Sequence, residues 1–238
     1  MSVLKKITPF EAKDLAISWI ALAVAFTVGA IGLPALIMNG FQGIEVTDVL
    51  IYFAIALITV GVSFILHELG HKFTAMKFGF WSEFRKNNSM LVLSVAIAAI
   101  IGIVFAAPGA TLINTSGREL SKKQNGIISM MGPLVNMGLF VIFWLLMMLG
   151  VYIGGGYDIA YGLLTPAAFL AEVGLFGCTI NAAIIFFNLL PVGPLDGKKI
   201  LQWNVIVFFV MIAIALGLLL LTYVGTPLTM TMQFFGQI

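Results

Sequence analysis

Long runs without a charged residue constrain this chain more than any other feature. Residues 15–38 form one such run of 24 residues, and residues 49–66 form another of 18. An α-helix needs about 20 apolar residues to cross the hydrocarbon core of a bilayer. Only 9% of the 238 residues are charged, whereas soluble domains carry about a quarter. We therefore predict an all-α, polytopic membrane protein and exclude a soluble globular fold.

The apolar runs predict a single membrane domain, a bundle of about five to six transmembrane helices. The predicted spans are about 15–38, 49–76, 126–152, 160–190 and 201–223. A further apolar run at 90–107 ends at Pro108-Gly109 and is interpreted either as a sixth span or as part of a re-entrant segment near 90–113.

The positions of lysine and arginine favour the re-entrant segment. Positively charged residues gather in cytoplasmic loops, and three lysines in the first fourteen residues predict a cytoplasmic N-terminus. If residues 90–107 crossed the membrane, Arg118, Lys122 and Lys123 would lie on the outer side. We therefore expect a multi-pass protein of the plasma membrane whose 90–107 segment enters and returns. The first run is longer than the apolar part of a usual signal peptide, so no cleaved signal is expected.

His67 and His71 are the two histidines of the chain, and they follow the run at 49–66 directly. Residues four apart lie on one face of a helix, so both imidazoles can bind one metal ion. Glu68 is placed to take the proton from a zinc-bound water. Ionisable groups at membrane depth are costly and usually functional. This pattern predicts a catalytic zinc site rather than two histidines bonded to backbone or water.

A catalytic zinc ion normally takes three protein ligands and one water, and the residues alone leave the third ligand open. The carboxylates in apolar surroundings are Asp158, Glu172 and Asp196. Asp196 follows Pro194 where the backbone is expected to leave the helix, although Asp-Gly after proline is also ordinary turn chemistry. Glu172 is a single acid in an apolar run. Cys178, the one cysteine, is expected to be a small packing residue.

Three motifs occur here in the order seen in site-2 proteases, the intramembrane zinc metalloproteases that cut membrane-embedded helices. The motifs are His67-Glu68-Leu69-Gly70-His71, Gly132-Pro133-Leu134-Val135-Asn136 and Asn188-Leu189-Leu190-Pro191 with Leu195-Asp196-Gly197. The chain resembles this family over its central half. The resemblance implies that His67, His71 and Asp196 bind zinc and that Glu68 activates water. It also implies that Asn188 lies near the metal and holds the substrate.

Two details depart from the family pattern. Val135 stands where the family usually has alanine, and Val192-Gly193 replaces a more proline-rich stretch, so the shape of that loop is open. No PDZ module or CBS pair is expected. The resemblance implies regulated intramembrane proteolysis, in which a peptide bond within or near a transmembrane segment is hydrolysed. The expected partners are a transmembrane protein substrate and the lipid bilayer, and no nucleic acid is expected.

Other functions fit part of the pattern. A prenyl-protein processing protease would take its third zinc ligand from a helical glutamate, which here would be Glu172. A metal transporter could use His67 and His71 as a transit site and would not need Glu68 as a base. Asn181 lies seven residues before Asn188 on the same helical face, where it could either contact substrate or bond to a neighbouring helix.

Overall fold

The computed structural model describes residues 7–31, 46–102, 104, 108–161, 165–223 and 226–235. Within these residues, five helices are long and apolar enough to cross a membrane. The remaining regular structure consists of shorter helices and one two-stranded sheet. The prediction of an all-α polytopic membrane protein is therefore confirmed, and the small sheet is an addition that the sequence analysis missed.

The chain forms two compact units, Met1–Gln124 and Asn125–Ile238. The first contains α1 (Pro9–Ile31), α2 (Val46–Lys77), β1 (Trp81–Lys86), α3 (Asn88–Ile101) and β2 (Gly109–Asn114). Helix α4 (Lys122–Tyr161) begins at the boundary and belongs mainly to the second unit. The second unit continues with α5 (Pro166–Asn188), α6 (Asp196–Trp203), α7 (Val205–Tyr223) and α8 (Thr226–Phe234).

Helix α1 begins six residues before the predicted span, at Pro9 rather than at residue 15. Proline suits the first helical position, where the missing N–H costs nothing. The Thr8 hydroxyl accepts a hydrogen bond from the Glu11 backbone N–H at 3.2 Å, which caps the helix. The early start is possible because the charge of Glu11 is fully buried and paired. The predicted end of this span, at residue 38, lies outside the described residues.

The segment after β1 leaves the sheet and returns to it. Strands β1 and β2 are antiparallel, with Trp81 opposite Asn114 and Lys86 opposite Gly109. At the end of the ladder the Asn87 N–H donates to the Pro108 carbonyl at 2.8 Å. Helix α3 between them has 14 residues, which gives about 21 Å, short of the roughly 30 Å of a bilayer core. The segment therefore begins and ends at neighbouring strands of one sheet, and the re-entrant interpretation stays a prediction.

Helices α4 and α5 pack closely in the second unit. A methyl group at Gly174 of α5 would collide with the backbone of Met147 on α4, so only glycine allows this approach. Small residues at such crossings are typical of membrane helices. The two helices are also joined by a hydrogen bond between buried amides, from Asn136 Nδ2 to Asn181 Oδ1 at 2.6 Å.

Helix α5 ends at Asn188, and the chain then turns into the short helix α6 and the long helix α7. The last predicted span, 201–223, is thus two helices that meet at Asn204. A methyl group on Gly197 would collide with the carbonyl of Leu189, so the start of α6 lies directly against the end of α5. A buried apolar cluster joins these helices and consists of Ile185, Leu189, Ile200, Phe208, Met211 and Ala215.

Candidate metal centre

The two histidines of the motif converge on one point. His67 and His71 lie four residues apart on α2, and their Nε2 atoms are 3.0 Å apart. The rings are nearly perpendicular, at 87°, and both side chains are buried. Two imidazole nitrogens on a tetrahedral zinc, each at about 2.0–2.1 Å, would be roughly 3.3 Å apart. The pair therefore fits a zinc ion with only a small adjustment of the rings.

Glu68 is held by a residue that the sequence analysis did not find. The Thr111 hydroxyl donates to Glu68 Oε2 at 2.7 Å and also lies 3.4 Å from the Glu68 carbonyl oxygen. Thr111 is in the middle of β2, so the second strand of the sheet runs past the motif helix at the position of the glutamate. No local signal marks Thr111, because 43 residues separate it from Glu68.

A buried ion pair lies one residue beyond the second histidine. Lys72 Nζ is 2.8 Å from Glu11 Oε2 and donates to the Ser82 carbonyl at 2.6 Å. The other Glu11 oxygen accepts from the Phe84 N–H at 2.9 Å. Both charged side chains are fully buried. This pair was not predicted from the sequence, although a lysine directly after His71 in an apolar chain indicates a partner carboxylate.

The hydrogen bonds of β1 show which edge of the sheet is open. The Ser82 carbonyl and the Phe84 N–H face away from β2 and bond to Lys72 and Glu11. By the alternation of an antiparallel ladder, the opposite residues Thr111 and Ile113 then point their backbone groups away from β1. Among the described residues, these outward groups of β2 have no hydrogen-bond partner. The sheet therefore has a closed edge at β1 and an open edge at β2, beside Glu68.

The remaining residues of the predicted site belong to the second unit. Asp196 is the first residue of α6 and is buried, with Lys199 Nζ at 3.4 Å from its Oδ1. Asn188 is the last residue of α5, and its Nδ2 donates to the Ile184 carbonyl at 2.9 Å. Gly197 directly follows Asp196, and Leu189 directly follows Asn188. Because Gly197 lies against the Leu189 backbone, Asp196 and Asn188 lie on either side of one close backbone contact.

The other candidates from the sequence have simpler surroundings. Asn181 accepts from Asn136 and donates to the Gly177 carbonyl at 2.8 Å, so it bonds to a neighbouring helix, one of the two interpretations given above. Cys178 is buried with its Sγ 3.5 Å from the Phe140 carbonyl oxygen, consistent with a packing residue. Glu172 is half-buried on α5. The side chain of Asp158 lies outside the described residues.

A glutamate and two convergent histidines, on a long and largely apolar helix, are the arrangement by which metallopeptidases bind zinc and activate water, here in a membrane protein. Comparison with known proteins agrees. The chain is 38% identical over 155 residues to MJ0611 of Methanocaldococcus jannaschii, which is assigned as a zinc metalloprotease; the match covers 65% of this chain and 73% of the relative. No family model and no solved structure matches the chain.

Two further relatives carry the same description. YwhC of Bacillus subtilis, also assigned as a zinc metalloprotease, is 31% identical over 156 residues, covering 61% of this chain and 66% of its own. The zinc metalloprotease MJ0392 of Methanocaldococcus jannaschii is 26% identical over 163 residues, covering 67% of this chain but only 37% of its own. The chain belongs to this family of zinc metalloproteases. It is a multi-pass membrane protein and a zinc-dependent peptidase.

Proposed function

We propose that this metalloprotease is of the site-2 type and hydrolyses a peptide bond within or near a transmembrane segment of another membrane protein. The observation that carries the proposal is the burial of His67, Glu68 and His71 on α2, whose span Val49–Lys77 is uncharged and mostly apolar up to the first histidine. A protease centre on such a helix meets substrates that are themselves in the membrane. The three sequence motifs shared with site-2 proteases support the same proposal.

The proposed zinc ligands are His67, His71 and Asp196, and zinc when bound supplies the Lewis acidity that polarises a peptide carbonyl and acidifies water. Asp196 is preferred over Glu172 because it is the more buried of the two carboxylates. It also stands at the start of a helix, where the positive end of the helix dipole favours a carboxylate.

Glu68 is the proposed general base. Its carboxylate takes a proton from the attacking water and returns a proton to the leaving amine. The hydrogen bond from Thr111 holds one oxygen, Oε2, and leaves the other oxygen for the water. Burial excludes competing water from the carboxylate, which strengthens its interaction with the reacting groups.

The open edge of β2 offers a binding mode for the substrate. A helical substrate hides its amides in internal hydrogen bonds and must unwind before it can be attacked. An unwound strand can pair with the outward N–H and carbonyl groups of Thr111 and Ile113, as peptides do at exposed sheet edges. This pairing would bring its backbone past Glu68, which contacts the same strand.

Asn188 is the proposed substrate-holding residue of the second unit. One hydrogen of its amide is used within α5, while its Oδ1 has no partner among the described residues and can accept from a substrate N–H.

The proposed substrate is a transmembrane protein in the same bilayer. By the distribution of lysine and arginine, we place the enzyme in the plasma membrane with a cytoplasmic N-terminus.

The test compares four purified proteins in detergent for zinc content and for cleavage of a model transmembrane substrate. The unmodified enzyme should hold about one zinc ion per chain and cleave. Glu68→Gln should keep zinc and lose cleavage, because it removes the base but no ligand. Asp196→Ala should lose both, and Glu172→Gln should lose neither. Full activity of Asp196→Ala together with zinc loss in Glu172→Gln would refute the ligand assignment.

Cleavage by Glu68→Gln at the rate of the unmodified enzyme would refute the role of Glu68 as the general base. Zinc transport by Glu68→Gln in proteoliposomes, with no cleavage by any of the four proteins, would instead identify a metal transporter. A prenylated peptide cleaved in preference to the transmembrane substrate would place the enzyme among the prenyl-protein processing proteases.

A further inference from the structure

The buried pair of Glu11 and Lys72 makes more contacts than a salt bridge needs. Lys72 Nζ donates to Glu11 Oε2 and to the Ser82 carbonyl. The other Glu11 oxygen accepts from the Phe84 N–H. The Ser82 hydroxyl returns a hydrogen bond to the Lys72 carbonyl at 3.1 Å, and Lys72 Nζ lies 5.2 Å from the centre of the Trp81 ring. One cluster therefore joins α1, α2 and β1.

Stability alone is a poor reason for such a cluster. Removing two charges from water costs several kcal/mol per ion, and apolar residues of similar size often stabilise a protein as well as a buried pair does. The pair also fixes the position of β1, because Lys72 bonds to the Ser82 carbonyl and Glu11 bonds to the Phe84 N–H. This places a particular residue of the strand, Ser82, beside a particular residue of the motif helix, Lys72.

The second strand is fixed to the same helix one turn earlier. Glu68 and Lys72 are four residues apart on α2, so they lie on one face about one helical pitch of 5.4 Å from each other. Neighbouring strands are about 4.8 Å apart, which matches that pitch. Lys72 holds β1 and Glu68 contacts β2 through Thr111. The sheet is thus attached to the motif helix at two points, one on each strand.

We propose that Glu11 and Lys72 are positioning residues, which set the height of the open β2 edge along α2 and so select the substrate peptide bond that reaches Glu68. The inference rests on the proposed function, because it assumes that substrate pairs with β2. Without Lys72 Nζ, two hydroxyl hydrogen bonds, from Ser82 and from Thr111, still join the sheet to α2, but the ionic attachment is lost and the sheet can shift against the helix. A displacement of about 1 Å can cost roughly 100-fold in rate.

The test variant is Glu11→Gln combined with Lys72→Met. Glutamine can still accept from the Phe84 N–H, so β1 stays attached to α1, and no buried charge is left alone. The bonds from Lys72 Nζ to Glu11 and to the Ser82 carbonyl are removed, whereas the bond from the Ser82 hydroxyl to the backbone carbonyl of residue 72 remains. The matched control is Asp14→Asn, since Asp14 is a second α1 carboxylate that contacts β1, at the Lys86 N–H, 3.4 Å away.

Two measurements are made on all three proteins after zinc content is checked. The first is the mass of the cleavage products of one transmembrane substrate, with kcat/KM. The second is the distance distribution between spin labels at Leu66 and Leu112, in a Cys178→Ala background; both leucine side chains are exposed, at 40% and 58%. The second measurement needs no protease activity.

We expect the double variant to keep its zinc, to cut at additional positions with kcat/KM lowered at least about tenfold, and to show a broadened label distance. Asp14→Asn should match the unmodified enzyme in both measurements. A single unchanged cleavage position, an unchanged label distance or a loss of zinc in the double variant would overturn the inference. Absence of cleavage by the unmodified enzyme would instead refute the proposed function, and the label distances would still test the attachment.

Discussion

Replacing Thr111 with valine removes one hydroxyl group and leaves the shape of the side chain nearly unchanged. We expect this variant to lower kcat and to leave zinc content and KM near their original values. The reason is that the hydroxyl donates to Glu68 Oε2, so its loss frees the carboxylate to rotate away from the water that it must deprotonate. Pairing of the substrate with β2 uses backbone groups, which valine retains.

The expected magnitude follows from the geometry. The distance of 2.7 Å between Thr111 Oγ1 and Glu68 Oε2 is typical of a charge-assisted hydrogen bond. Hydrogen bonds to charged groups contribute about 1.5–3 kcal/mol. Thr111 is half-buried, so water can replace part of this contribution and the low end applies. A loss of about 1.4 kcal/mol in the transition state is a tenfold decrease in kcat.

The control for this prediction is Thr111→Ser, which retains the hydroxyl and loses only a methyl group. Steady-state cleavage of one transmembrane substrate in detergent gives kcat and KM for the three proteins. We expect serine to recover most of the activity. If Thr111→Val cleaved as fast as the unmodified enzyme, or if serine were no better than valine, Thr111 would have no part in holding the base.

Two further predictions concern the second unit. Asn136→Leu and Asn181→Leu should each lower the free energy of unfolding in detergent. The double-mutant cycle should give a coupling of about 0.6–1.7 kcal/mol, because the amides share one buried hydrogen bond; a coupling of zero would contradict this. Gly197→Ala should reduce both zinc content and cleavage, because the added methyl group forces α6 away from the Leu189 carbonyl and carries Asp196 with it. Gly217→Ala, at a glycine with open space around it, is the control and should change neither.

Local spacing explains which parts of the site could be predicted. His67, Glu68 and His71 lie within five residues of one apolar helix, so their shared position follows from helical geometry and needs no tertiary information. The long spans were predicted for the same reason, since a bilayer core sets their length. The assignment of Asp196 as third ligand and of Asn188 as a substrate contact stays a prediction.

The sheet could not be predicted because its strands depend on distant partners. Residues 81–86 contain three charged residues, which is typical of a polar loop. The outward backbone groups of this strand bond to Glu11 and Asp14 on α1 and to Lys72 on α2. Helix α1 begins before the predicted span for a related reason. The charge of Glu11 is paired inside the protein, and its partner Lys72 is 61 residues away. A search for isolated charges that need a partner would have brought the two together.

The hydrogen bond between Asn87 and Pro108 holds the two ends of the intervening segment together, so this segment can be exchanged for one of another length. Because Asn87 and Pro108 are held together at the end of the β1–β2 ladder, the catalytic helix does not fix the length of the chain between them. Doubling or halving such a loop changes its closure entropy by only about 0.6 kcal/mol. The length and composition of this segment can therefore be changed by design, and with them its contact with lipid, while the catalytic helix and the sheet stay as they are.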